Sequence, residues 1–251
     1  MLELSVVLGT FNRRASLERA LASIRRSAAG LDTEIIVVDG GSTDGTREYL
    51  EAQEDVRTLF EAKRRGAVRA FNWGFRETRG QFIALLNDDI EVLGGALFGA
   101  VEVLRTNDEI GQVALAYRTP RQREFRTYTV HGKPYANLGV LRRAAAREAE
   151  EVQGGIWNPR YHTYAADTEL SCWLIKLGWR VWPAKHLRCI DHEVQDILRS
   201  ENNSGRNRLD SAAFGRKWPH ARTIEKGGPD VIGYEAEMER YRAVMARKRP
   251  S

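Results

Sequence analysis

The sequence predicts an α/β fold, a mostly parallel central sheet flanked by helices, and three observations carry that expectation. Short apolar runs alternate with amphipathic ones through roughly the first 90 residues, at a repeat of roughly 25. Each apolar run ends in Gly, Asn or Asp, the residues that most readily turn a chain out of a strand. The chain of 251 residues is 42% hydrophobic and 29% charged, which is globular composition with enough length for a substantial core.

Taken in order, the expected strands are Leu4 to Leu8, Glu34 to Asp39, Val56 to Phe60 and Gln81 to Leu86. Between the first two, Leu17, Leu21, Ile24 and Ala28 recur at helical spacing after a candidate Ser16 cap, and Gly30 stops the run. A second helix follows Thr43 or Asp44, and a third runs from about Gly66 to Thr78. No GxGxxG or GxxxxGK[ST] pattern follows any strand, so the dinucleotide and P-loop readings lose their main support. Further on, Leu170, Trp173, Leu174 and Leu177 form one apolar helix face that Gly178 stops, and a strand starts near Lys185.

The fourth strand runs directly into Asn87, Asp88 and Asp89. Carboxylates at the carboxyl end of a strand sit where open α/β sheets place their ligands, and one carboxylate with phosphate oxygens is a usual shell for Mg²⁺ or a similar ion. An Asn-Asp pair is also ordinary turn chemistry, as Asp39, Ser42, Thr43 and Asp44 are ordinary turn and cap residues. Gly66, Asn72 and Gly74 interrupt the third helix, and two glycines there cost on the order of 1 kcal/mol each relative to alanine. Close approach of a ligand or strand accounts for them better. Cys172 and Cys189, the only cysteines, are too few for a disulfide framework or zinc site and read as reduced packing residues.

The segments SVVLGTFNRRASLERALASI, EIIVVDGGSTDGT, GAVRAFNWGF and FIALLNDD, in that order and spacing, resemble the nucleotide-sugar domain of family 2 glycosyltransferases of the GT-A fold. The resemblance implies a Rossmann-like sheet and an inverting transfer from a nucleoside-diphosphate sugar. It places Asp39 on the uracil base, Thr10, Phe11 and Asn12 along the nucleoside, Asn87 and Asp88 at the nucleotide, and Asp89 on the metal. Gly66 and its helix pass beneath the nucleotide, with Arg65 or Arg69 near phosphate. Gly9 stands where the family usually has proline, and Gly40 where Asn or Asp is commoner; these departures bear on loop shape more than on chemistry.

In the second half, Asp167 in YAADTELSCW matches the family's catalytic base and Glu169 the acid two residues on, while Ala166 replaces the usual glutamate. Taken alone, Asp167 would be a plain helix cap. His192 matches the histidine that closes the metal shell, and the pattern of Phe214, Lys217 and Trp218 recurs there too; alone, a single histidine is packing or surface. Imidazole with carboxylate and phosphate oxygens suits Mn²⁺ somewhat better than Mg²⁺, the two candidate cofactors. Transfer needs a cation at the departing diphosphate and a base at the attacking hydroxyl, the jobs assigned to Asp89 and Asp167.

These features divide the chain into a donor half over 1–115, an acceptor and catalytic half over 116–228, and a charged C-terminal helix and tail over 229–251. The net charge of +5 favours phosphate-bearing ligands, nucleic acid or an anionic membrane face without choosing among them. Arg118, Arg121, Arg123, Arg126, Lys133, Arg142 and Arg143 give the middle a basic bias, and Trp157, Tyr161 and Tyr164 are sugar-stacking or core residues. The expected partners are a nucleotide-sugar donor, UDP-sugar favoured, and a saccharide, lipid-linked or other hydroxyl acceptor. Nucleic acid is not expected, and peripheral contact with the inner membrane face stays open beside a plain solvated surface. Without a signal-peptide pattern or an apolar run able to span a bilayer, the expected location is cytoplasmic. The QxxRW element of processive synthases is absent from the sequence, so a single transfer is expected. A nucleotidyltransferase and a catalytically silent anion- or nucleic-acid-binding module stay open as rivals.

Overall fold

The computed structural model describes residues 2–196, 199–200 and 205–248. Its strands are β1 (Leu4–Thr10), β2 (Thr33–Asp39), β3 (Val56–Phe60), β4 (Phe82–Asn87), β5 (Ile90–Val92), β6 (Ile110–Arg118), β7 (Tyr128–Val130), β8 (Lys133–Tyr135), β9 (Gly139–Arg142) and β10 (Arg180–Asp191). The helices are α1 (Arg14–Ser27), α2 (Thr46–Glu51), α3 (Ala67–Arg76), α4 (Ala96–Thr106), α5 (Arg143–Gln153), α6 (Ala166–Lys176), α7 (Asn207–Lys217), α8 (Ala221–Ile224) and α9 (Glu235–Lys248).

Eight strands form one sheet in the order β3-β2-β1-β4-β9-β6-β10-β5, and β7 and β8 pair as a separate hairpin. The β1, β2, β3 and β4 pairings and the β6–β10 pairing are parallel, whereas β9 and β5 are antiparallel to their neighbours. Parallel strands covered on both faces read as continuous apolar runs, which is why β1, β2 and β4 were visible without alternation. The pleat then sorts their side chains. Val6, Leu8, Ala84 and Leu86 pack with α1 and α4 on one face, while Val7, Ile83 and Leu85 pack with Phe71 and Phe75 of α3 on the other.

Gly74 explains the interruption of α3, because a Cβ there would overlap Val7 Cγ1 of β1. The helix lies so close to the sheet that only glycine fits. Ser16 does not cap α1; it is buried within the first turn, and the Asp44 carboxylate accepts the Arg14 N–H at 3.1 Å instead. Asp44 also receives the Thr46 N–H and hydroxyl at 3.1 and 2.6 Å, so one carboxylate ties the starts of α1 and α2 together.

The last sheet strand begins at Arg180, earlier than the expected Lys185, with an irregular register between Ala184 and Arg188. The expected boundary at 115/116 falls inside β6, so donor and acceptor halves share one sheet. The C-terminal segment packs as α9, with Met238 and Val244 in the core and Glu237 fully enclosed, while residues 249–251 of the expected tail lie outside the described residues. Arg142 and Arg143 bind backbone carbonyls of Ile110, Leu104, Asn107 and Gly80 at the edge opposite the strand ends, away from any acceptor face.

Candidate active site

Parallel register brings the carboxyl ends of β1, β2 and β4 together: Thr10 lies beside Asp39, and Gly9 beside Asn87. Above them opens a cleft of about 1000 Å³ lined by Thr10, Phe11, Gly66, Arg69, Asn87, Asp88, Asp89 and Asp167, among others. Sheet order divides it. The β3-β2-β1 ends form one side, the β4 acids the middle, and β9, β6 and β10 the other side.

At the first side, loop is clasped to loop. Ser42 Oγ accepts the Asn12 N–H at 2.8 Å, and Asn12 Oδ1 accepts the Thr43 N–H at 2.7 Å. Asp39 is fully buried and receives the Ser42 hydroxyl at 2.5 Å and its N–H at 3.2 Å. Asn12 and Asp39 therefore shape the wall, and Gly40, the next residue, lines the cleft. Gly41 turns the chain at φ +84, where a Cβ would sit 3.3 Å from the Glu61 carbonyl. The Arg64 guanidinium stacks on Phe11 at 5.3 Å.

The β4 acids form a crowded centre. Asp88 accepts Thr10 Oγ1 at 2.8 Å and Arg13 at 3.0 Å; Asp89 lies 3.6 Å from Arg13 and 3.7 Å from Arg199. Burial, offset by Arg13 and reinforced by the Asp89 charge, pushes the Asp88 carboxyl up to about 6. Asp191 joins this lining, also pushed up to about 6 by burial and by Asp89. His192 does not. Asp191, the last residue of β10, faces the cleft, and His192 just beyond it turns to β5, where its Nε2 meets Glu91 Oε2 at 2.9 Å. The carboxylate that lines the centre from this segment is that of Asp191, while His192 reaches Asp89 through its backbone N–H, which donates to the Asp89 carbonyl.

Among the described residues no group of three or more His, Cys, Asp or Glu side chains forms a ready-made cation cage. The donor set still suits a hard divalent ion: three crowded carboxylates, with a diphosphate able to complete the shell. Asp89 and Asp191 are the residues that would hold it.

On the other side, Ala165 adopts φ +63, a left-handed conformation costing a non-glycine residue about 1–2 kcal/mol, and this launches α6. Asp167 follows in its first turn, half-buried in the cleft lining, and its Oδ1 accepts the Thr168 N–H at 2.7 Å. It does not cap the helix in the usual way. Burial pushes its carboxyl up to about 6, against the Thr168 hydrogen bonds. Glu169, by contrast, points into the protein. Fully buried, it receives Lys217 Nζ, the Tyr161 hydroxyl and Asn158 Nδ2, the last at 2.8 Å. Two residues along α6, about 200° around the helix, put the two acids on opposite faces, and Glu169 supports the cleft wall without touching it.

Asn72 is also a wall fastener. Its amide spans the Trp157 N–H at 2.9 Å and carbonyl at 2.7 Å, holding that indole against Phe71 at 4.0 Å. Sequence reading missed Arg13, Asp191, Arg199 and the Tyr117, Tyr128 and Asn137 side chains that also line the cleft. The acid preceding His192 was visible as a signal; the arginines were not, since nothing local separates them from solvated ones.

Residues 5–157 match the family model described as Glycosyl transferase family 2. A Campylobacter jejuni GalNAc(5)-diNAcBac-PP-undecaprenol beta-1,3-glucosyltransferase is 36% identical over 102 residues, 39% of this chain and 33% of that protein. The chain spans about a third of the length of the curated relatives it matches. A mannosyltransferase from Pyrobaculum calidifontis, solved with GDP-Man and Mn²⁺, superimposes with a TM-score of 0.65 at 20% identity, over 98% of this chain and 74% of that one. TarS 1-349 from S. aureus, solved with UDP-GlcNAc, does so at 0.61 and 14% identity, over 79% and 60%. These likenesses establish the GT-A type of fold.

Proposed function

On the premise that the chain belongs to glycosyl transferase family 2, we propose that it moves one sugar from a nucleoside-diphosphate sugar, a UDP-sugar by preference, to an acceptor hydroxyl with inversion at the anomeric carbon. Membership supports a glycosyltransferase over the nucleotidyltransferase and the silent binding module. The observation that carries the finer reading is the single cleft: Asp89 from the end of β4 and Asp167 from the first turn of α6 line one cavity with the β1 and β2 loops.

In this reading the Phe11 and Gly40 side takes the nucleoside, with Asp39 fixing the turn beneath the base, and Arg65 and Arg69 meet the phosphates. Asp89 and Asp191 hold Mn²⁺ or Mg²⁺, which when bound offsets charge on the departing diphosphate. Asp167 accepts the proton of the attacking hydroxyl. Its carboxylate is suited to this, because burial raises its basicity toward neutral pH while leaving it ionised there. Attack from the Asp167 side, opposite the diphosphate, inverts the anomeric centre.

No helix of the described residues is long and apolar enough to cross a membrane. The exposed Arg121, Arg123 and Arg126, beside the cleft residues Thr119 and Gln122, are where we place peripheral contact with an anionic membrane face.

Melting curves with UDP, GDP and their sugar conjugates, with and without Mn²⁺, test the assignment, since a ligand of the native state raises stability by mass action. Cation-dependent stabilisation by a sugar nucleotide, followed by release of nucleoside diphosphate that Asp167→Asn abolishes in the presence of acceptor, is expected. Equal stabilisation by every nucleotide without cation would refute it.

A further inference from the structure

Resting on that reading, we propose that the acceptor atom is a hydroxyl of an uncharged saccharide, held against a wall made by Tyr117, Tyr128 and Asn137, and that a phosphate oxygen is not a substrate. The wall belongs to the acceptor side by topology. Tyr117 ends β6, Tyr128 starts β7 and Asn137 precedes β9, all across the β4 acids from the loops of β1 and β2. All three line the cleft together with Asp167.

Its chemistry is neutral and hydroxyl-bearing. The Tyr117 and Tyr128 rings stack at 4.9 Å and 26°, and Asn137 Nδ2 donates to the Tyr117 hydroxyl at 2.6 Å. Burial and the nearby Asp167 charge push the Tyr117 phenol far above its ordinary range, so it stays protonated. Aromatic faces edged by hydroxyl and amide groups match a sugar ring, which offers C–H faces and alternating hydroxyls.

A phosphate would find the opposite of what it needs. Arg118, the nearest arginine in sequence, is turned from the wall: its NH1 donates to the Gln122 carbonyl at 2.8 Å and its guanidinium lies 5.1 Å from the Phe125 ring. Arg13 and Arg199 are held by the acidic centre and by Asp196 and Glu193. The cleft lining also carries arginines such as Arg65 and Arg69, which the proposed function gives to the donor phosphates, whereas the Asp167 carboxylate acts directly on the Tyr117 phenol and repels an anion held against that ring in a low-dielectric cleft. A phosphate oxygen is also already ionised at neutral pH and requires no base. A sugar hydroxyl does require one, and an acid built into the wall supplies it.

The wall is held rigidly. The β7–β8 turn at His131 and Gly132 is pinned by the contact of His131 Nε2 with the Trp218 carbonyl at 2.9 Å, and the Ala136 N–H donates to Ser171 Oγ of α6 at 3.1 Å. Tyr128 and Asp167 thus keep a fixed relation across the acceptor space.

The test uses the full chain, Mn²⁺ and whichever UDP- or GDP-sugar it turns over, with two acceptors in competition: a panel of neutral p-nitrophenyl glycosides and geranylgeranyl phosphate, products being read by mass. Extension of a glycoside and none of the prenyl phosphate is expected, and Tyr128→Ala should raise the glycoside KM about five- to tenfold with a much smaller change in donor KM. Glycosylated prenyl phosphate overturns the inference, as does donor hydrolysis with no glycoside extended, or an unchanged acceptor KM in Tyr128→Ala. If no donor is turned over at all, the transferase reading itself fails and takes this inference with it.

Discussion

Lys217→Met puts the buried side of the cleft wall to the test. Lys217 is fully enclosed between Glu169 of α6 and Glu237 of α9, and its ammonium contacts both carboxylates. Asn158 Nδ2 bridges the same pair at 2.8 and 2.9 Å, and Tyr234 covers the ammonium at 4.1 Å. Methionine keeps the volume and removes the ammonium that sits between the two carboxylates. Two buried carboxylates are then left facing each other, and breaking a buried pair in this way costs about 3–5 kcal/mol. For a protein of this size that is a fall in Tm of about 6–20 °C by calorimetry. The loss has a pH signature. Burial already pushes the Glu237 carboxyl up, with Lys217 holding it down, so removing the ammonium lets it rise further. A carboxyl raised in the folded state binds protons there that the unfolded chain does not, so its effect on stability worsens as pH rises through and above the ordinary glutamate range. The deficit of Lys217→Met should therefore be smaller at pH 5 than at pH 8. A Tm within about 2 °C of the parent at pH 8, or a deficit that grows on acidification, would refute the assignment of Lys217 as the counter-charge.

Four further outcomes are expected. Asp167→Asn should lower transfer to a hydroxyl acceptor about 10²- to 10⁴-fold, and in the parent kcat/KM should climb with pH to about 6 and then level, because the base must be ionised. Asn72→Ala leaves the N–H and carbonyl of buried Trp157 without their partners, a cost of about 1–3 kcal/mol visible as a lower urea midpoint. Gly74→Ala drives a methyl into Val7 and should destabilise by about 1–3 kcal/mol on the same assay. Asp191→Ala should raise the Mn²⁺ concentration needed for half-maximal nucleotide stabilisation several-fold more than His192→Ala does, since His192 is turned to Glu91.

The block β1–β4 was legible because β1, β2 and β4 each carry an apolar run with its own stop and β3 falls in the same repeat, whereas the longer β6 was not among the expected strands. Strands β5, β7 and β8 have three residues each, too few to display a period, and β9 has four. They were invisible for that reason. Of the site, Asp88, Asp89 and Asp167 could be found because an acid at a strand end or helix start is a local feature. Arg13 could not: its partners Asp88 and Asp196 lie 75 and 183 positions away. The orientations of Glu169 and His192, which do not line the cleft, were hidden by the same gap in information. Spacing locates a residue on an element, but which way its side chain faces depends on the neighbour that packs there, Lys217 in one case and Glu91 in the other.

Two acidic clusters in this molecule look alike by charge and burial, and what separates them is access. Glu169 and Glu237 have an ammonium between them, with Asn158 and Tyr161 completing their hydrogen bonds, and they are sealed from solvent. Such a group fixes geometry: it ties α6, α7 and α9 behind Tyr161, which faces the cleft. Asp88 and Asp89 are almost as buried and Asp191 partly so, but all three open to the same cleft; Arg13 pairs with Asp88 at 3.0 Å, while Arg13 and Arg199 meet Asp89 only at 3.6 and 3.7 Å, with Asp196 and Glu193 sharing those arginines. Local charge is thus left uncompensated where a ligand can enter. A perturbed carboxyl alone does not identify a functional site, since structural networks perturb their members too. A carboxyl cluster that is reachable as well as perturbed is the better candidate, because under the proposed function a divalent cation accompanying a diphosphate would supply the missing charge.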